Sequence, residues 1–115
     1  MSKLRERISA NRAARERNVV EVADWGDSDG PMRIYAGAVT GAEIDKVVRK
    51  HPNFLANPTI EAMVDMIILK AEDENGEKWF TLEDKMTMLH EPFAIVANVF
   101  ASVFNAASVE EQEKN

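Results

Sequence analysis

A chain of 115 residues and 12.9 kDa holds one domain and can bury roughly two-thirds of its unfolded surface. Its 45% hydrophobic and 30% charged residues exclude wholesale disorder, and five glycines and four prolines are too few for a collagen-like or low-complexity chain. The absence of cysteine excludes disulfides, thiolate metal sites and cysteine nucleophiles, while the formal charge of −6 conceals an asymmetry: residues 1–17 carry net +4 and residues 18–115 net −10.

The opening Met1-Ser2-Lys3-Leu4-Arg5-Glu6 lacks the apolar core of a secretion signal, so a cytosolic chain is the expectation. Residues 3–17 are rich in Ala, Arg and Glu, free of Gly and Pro, and predict a helix. Its apolar face is thin, because Leu4 and Ile8 are followed on the same stripe by Asn11, Arg12 and Arg15. Residues 1–18 therefore read as a basic helix or arm, either solvated and loosely docked or ordered only on a partner.

Val19 to Trp25 is β-branched and partly alternating, and Met32 to Val39 alternates again. The dense turn signal Gly26-Asp27-Ser28-Asp29-Gly30-Pro31 between them predicts an antiparallel hairpin with a loop of about five or six residues. Two strands alone are marginal in water, so the ribbon must lean on helices or on another subunit. Trp25 and Tyr35 are candidates for pinning it, with no binding role.

Thr40-Gly41-Ala42-Glu43 has capping-box spacing and opens a helix with Ile44, Val47, Val48 and His51 on one side, stopped by Pro52. Asn57-Pro58 offers an N-cap and a first-turn proline for a helix carrying Ile60, Met63, Val64, Ile67, Ile68 and Ala71. After the acidic turn Glu72 to Glu77, Thr81 caps a short helix whose Leu82, Met86 and Leu89 face inward. Pro92 then introduces a helix over about 92–107 with no charge from Phe93 to Ala107. Phe93, Ile95, Val96, Val99, Phe100, Val103 and Phe104 spread over roughly 180–200° of it, where a surface helix needs a stripe of about 100°. Its fifteen uncharged residues fall short of the roughly 20 that span a bilayer, so no membrane contact is expected. This is either the central core helix or a surface for a second chain. The resulting expectation is an α+β fold: a mostly helical small domain over 19–107 with one antiparallel β-hairpin near the N-terminus, an apolar C-terminal helix, and a polar tail at 108–115.

Signatures of catalysis fail in turn. His51 and His90 are the two histidines, with no cysteine to accompany them, so no nucleophile–base pair or zinc site has its usual ligands. The acidic loops at Asp27 and Asp73 miss calcium-loop spacing, with Trp25 and Ala36 at the outer ligand positions of the first, and Ala71 and Leu82 at those of the second. No enzyme activity is expected, and no catalytic, cofactor-binding or metal-ligating residue is assigned. Arg5, Arg7, Arg12, Arg15 and Arg17 could neutralise phosphates, but no aromatics interleave with them and the body is acidic, which argues against nucleic acid.

An order of features gives a more specific pointer. A Val-rich strand runs into Trp25-Gly26, and Arg33-Ile34-Tyr35 leads to the helix opened by Thr40-Gly41-Ala42-Glu43. Then come Asp73-Glu74-Asn75-Gly76-Glu77-Lys78-Trp79-Phe80, Thr81-Leu82-Glu83-Asp84 and the apolar helix. In this order, over residues 19–104, the chain resembles the tail assembly chaperones of long-tailed bacteriophages and prophages. The resemblance implies a non-catalytic factor that binds the tape measure protein and keeps it soluble in the host bacterial cytoplasm until tube subunits polymerise around it. Such a factor is absent from the mature virion. The tape measure protein is the implied partner, with the tail tube protein as a further candidate and self-association expected. The seven apolar residues from Phe93 to Phe104 are the candidate partner-binding surface, helped by adaptable methionines at 63, 66, 86 and 88. The family also often makes a longer product by ribosomal frameshifting, and Glu113-Lys114-Asn115 is compatible with the slippery codons A-AAA-AAC. The alternatives are a head–tail joining or tail-tube subunit, and a nucleic-acid-binding regulator that uses the arginine-rich arm.

Overall fold

The chain is an α+β domain, and its computed structural model describes residues 3–14 and 17–114, with side chains at 3–12 and 17–104. In chain order the elements are α1 (Lys3–Ala14), β1 (Asn18–Asp27), β2 (Gly30–Ala36), α2 (Gly41–Lys50), α3 (Ile60–Lys70), a single 3₁₀ turn (Leu82–Asp84), α4 (Lys85–Leu89) and α5 (Phe93–Lys114). Arg15 and Glu16, near the end of the helix expected over 3–17, lie outside the described residues. Every side chain from Lys3 to Arg12 is exposed, as the thin Leu4–Ile8 stripe requires.

The hairpin forms as expected, but its reversal is tighter. Asp27 pairs with Gly30, so Ser28 and Asp29 alone make the turn, and the Asp27 carboxylate accepts from the Asp29 amide at 2.9 Å. Gly30 has φ of +128°, a backbone region that side chains disfavour. The remaining turn-forming residues are absorbed in a bulge, where Ala23, Asp24, Trp25 and Gly26 of β1 face Pro31 alone between the pairs Val22–Met32 and Asp27–Gly30. Gly26 is required there, because a Cβ at this position would sit 2.2 Å from the Gly30 carbonyl oxygen. The bulge re-aims Trp25. Its indole Nε1 donates to Glu91 at 2.6 Å, and its ring meets Phe80 edge-on at 5.8 Å.

The second strand ends at Ala36 rather than Val39. Its outer edge gains a partner that periodicity does not announce: Tyr35 and Glu72 exchange backbone hydrogen bonds of 2.8 and 3.0 Å, and Glu72 in turn bridges to Lys78. Helix α2 opens with the expected capping box, in which the Thr40 hydroxyl accepts from the Glu43 amide while the Glu43 carboxylate accepts from the Thr40 amide. Helix α3 starts two residues later than Asn57-Pro58 suggests, because Thr59 supplies the cap by accepting from the Ala62 amide.

The core gathers the inner face of the hairpin (Val22, Ile34, Ala36), Val47 of α2, Phe54 of the following turn, Ala62, Val64, Met66 and Ile67 of α3, Ala71, Met88, and Val96, Val99, Phe100 and Val103 of α5. Helix α5 packs on both α3 and β1. Its backbone continues past residue 107 through Lys114, so the polar stretch expected as a separate tail is mostly helical; the side chains there lie outside the described ones. Among the described residues no helix is long and apolar enough to cross a membrane.

Candidate functional site

The seven residues proposed as a partner surface lie on one helix, but the fold divides them. Val96, Val99, Phe100 and Val103 are core residues, Ile95 and Phe104 are half-buried against that core, and Phe93 alone is 63% exposed. The expected docking arc is therefore corrected: most of it is sealed by its own chain. The closing piece is Phe54, in the turn after Pro52. Its ring meets Phe100 and Phe104 edge-on at 5.9 and 5.6 Å, while Phe100 and Phe104 stack on each other at 5.3 Å. Proline ends α2 and throws the next aromatic back across α5.

Of the eight large apolar side chains exposed among the described residues, Trp79, Leu82, Met86 and Phe93 lie on the stretch that leads from α3 into α5, and the others are Leu4, Ile8, Val19 and Leu55. Leu82 is 75% exposed, Met86 62% and Trp79 40%, and Phe93 opens the next helix. This corrects the inward assignment of Leu82 and Met86; the buried residue of α4 is Met88. The cause is the 3₁₀ turn over Leu82–Asp84. At 3.0 residues per turn it rotates the following residues out of the α-helical phase on which the assignment rested. Of the four methionines thought adaptable, Met66 and Met88 are buried, Met63 is half-buried and Met86 is exposed.

A polar joint lies where α2, α3 and α4 meet. His51 Nε2 and Asp65 Oδ2 are 2.7 Å apart, Lys85 Nζ reaches Asp65 Oδ1 at 2.9 Å and Glu61 Oε1 at 2.8 Å, and Lys50 Nζ lies 3.5 Å from Asp65. Burial pushes the Asp65 carboxyl up, but hydrogen bonds from Lys85 and His51 and the charges of both lysines outweigh it and leave it below its ordinary range. Burial likewise opposes the charge on Lys85, yet its bonds to Glu61 and Asp65 hold its pKa above the usual lysine value. One ligand atom from each of His51, Glu61 and Asp65 fits within 4.8 Å, a spacing that could hold a cation. Two ammonium groups already neutralise those carboxylates, so the joint is better explained as an ionic clamp between helices. His90, the other histidine, caps its own helix: its Nδ1 is 2.7 Å from the Met86 carbonyl oxygen.

A third feature is an open cleft of about 470 Å³ beside the hairpin, walled by Trp25, Tyr35 and Trp79 and lined by Asp27, Asp29 and Glu74. Trp79 is held there by donating its indole N–H to the Arg33 carbonyl at 2.8 Å. Arg17 closes over the edge of this region. Its guanidinium donates to the Glu72 carboxylate at 3.2 Å and to the Asp73 and Glu74 carbonyls at 3.0 and 2.9 Å, and its carbon lies 5.0 Å from the Tyr35 ring centre. Sequence reasoning counted Arg17 among free phosphate ligands. Its hydrogen-bond partners lie 55 to 57 residues away, a separation that local pattern cannot bridge. Comparison with known protein families, curated proteins and solved structures finds no match to this chain.

Proposed function

We propose that the chain is a non-catalytic tail assembly chaperone of a long-tailed phage or prophage. It binds the tape measure protein in the host cytoplasm, keeps that client soluble while the tube assembles, and is left out of the finished particle. The observation that carries this reading is a coincidence of position. The passage from Asp73 to Asp84, most telling for the resemblance, overlaps the segment that bears exposed Trp79, Leu82, Met86 and, just beyond, Phe93. Exposed apolar side chains on a short helical connection suit capture of an amphipathic client helix, and methionine adapts to varied sequences. The net charge of −6 would help keep a complex with an apolar client dispersed.

Co-expression with a candidate tape measure protein tests the proposal. The client is expected to stay soluble and co-purify, and Leu82→Asp with Met86→Asp is expected to abolish this without loss of helix content, since both side chains are exposed. A client equally soluble with the double variant, or without the partner at all, refutes the reading.

A further inference from the structure

Helix α1 carries Lys3, Arg5, Arg7 and Arg12 against the single acidic Glu6, and every side chain from Lys3 to Arg12 is exposed. An isolated helix of twelve residues is marginal in water, and one whose apolar stripe is as thin as Leu4 and Ile8 gains little by packing on its own core. Such an arm is suited to a complementary surface elsewhere. The rest of the chain offers one, with net charge −10 over residues 18–115.

The root of the arm shows how this body holds a guanidinium. Arg17 takes one carboxylate oxygen, two backbone carbonyls and an aromatic face together, at Glu72, Asp73, Glu74 and Tyr35. Beyond Tyr35 similar residue types line the cleft, the aromatic Trp25 and Trp79 and the acidic Asp27, Asp29 and Glu74, and the one basic lining residue, Arg33, lies 3.7 Å from Glu21. Among the described residues no cation pairs with the carboxylate of Asp29 or Glu74. The arm does not fill its own cleft, because its side chains from 3 to 12 are exposed.

We infer that the basic arm of one copy occupies the aromatic, acidic cleft of a second copy, and that two chains exchange arms to form a dimer. Arginines of the arm stack on the tryptophan faces and pair with the carboxylates, as Arg17 does with Tyr35 and Glu72. The arm roots beside its own cleft, since Arg17 binds the Asp73 and Glu74 carbonyls and both residues line that cleft. An exchange in which each copy gives its arm and receives the other's closes about a two-fold axis. Helix α1 is about 18 Å long at 1.5 Å per residue. Nucleic acid is the poorer occupant for the arm, because the carboxylates of the body would repel phosphate beside it. The dimer is independent of the chaperone reading and is tested on this chain alone.

Sedimentation velocity on the full chain at about 50 mM and 500 mM salt provides the test, the higher salt screening exposed charges within a few ångströms. A dimer at low salt that dissociates at high salt is expected. Arg5→Glu with Arg7→Glu and Arg12→Glu should weaken it roughly ten- to a hundredfold, in keeping with several exposed ion pairs lost and reversed. Because these side chains are exposed, helix content and melting of the body should not change. Mixing that variant with Asp29→Lys, Glu74→Lys should restore association between the two, which a merely structural effect of either set would not do. A monomer at every salt concentration overturns the inference, as does a dimer indifferent to the arm variant. An arm-dependent shift of RNA or DNA by a chain that stays monomeric also overturns it, in favour of nucleic acid.

Discussion

Replacing Phe100 by alanine distinguishes a core helix from a docking helix. Phe100 is 9% exposed, meets Phe54 edge-on at 5.9 Å and stacks on Phe104 at 5.3 Å. Truncating a buried phenylalanine costs about 3–5 kcal/mol, through lost transfer energy and the cavity left behind. A domain of this length has roughly 6–17 kcal/mol of stability in all, and its unfolding entropy makes each kcal/mol worth about 4 °C. Phe100→Ala should therefore lower the melting temperature by about 12–20 °C, read by far-UV circular dichroism, with a matching fall in the urea midpoint. Phe93→Ala, at a site 63% exposed on the same helix, should stay within about 0.5 kcal/mol of the parent. The cycle with Phe54→Ala should show coupling of about 0.5–1.5 kcal/mol from the ring pair. If Phe100→Ala melts within a few degrees of the parent, or no lower than Phe93→Ala, the helix is not sealed as described.

Asp65→Asn should cost about 2 kcal/mol at pH 7, as hydrogen bonds from Lys85 and His51 lose their charged acceptor. Since the folded carboxyl titrates below its ordinary value, its contribution is present above the unfolded pKa of about 4 and is lost as pH falls through the lower folded value. The denaturation curves of parent and variant should accordingly converge in acid; a gap that stays constant down to pH 2 would disprove the linkage. Gly26→Ala should destabilise the hairpin by about 1–3 kcal/mol, because the added Cβ meets backbone at 2.2 Å, and urea unfolding would register it. Gly37→Ala, where a Cβ meets nothing within 4 Å, should be neutral or stabilising by up to about 1 kcal/mol; equal losses at both glycines would contradict the bulge geometry.

Features set by neighbouring residues were legible in the sequence, and those set by distant ones were not. The capping box of Thr40 and Glu43 spans three residues, so its pattern contains the whole interaction. The two strands were readable from β-branched alternation, but the loop between them was overestimated. Gly26 to Pro31 is a turn-rich composition that serves equally for a long loop or for a two-residue turn beside a bulge. The girth of the terminal helix was also read correctly from its uncharged run. Whether that girth was covered depended on Phe54, some 46 positions earlier in an irregular turn, where no periodicity marks an aromatic as core. Leu82 and Met86 were misassigned for a local reason, since helical phase is lost across a 3₁₀ turn.

The packing of α5 on α3 and β1 also orders events during synthesis. Val22, Ile34, Val64 and Ile67 are all made well before Val96 and Val103 arrive to cover them. Until then the emerging polypeptide presents an adhesive greasy face, a stage at which growing chains are prone to clump. Holdase protection in the cell would matter most in that interval, and a message cut short before Phe93 would yield a fragment that stays sticky for its whole lifetime.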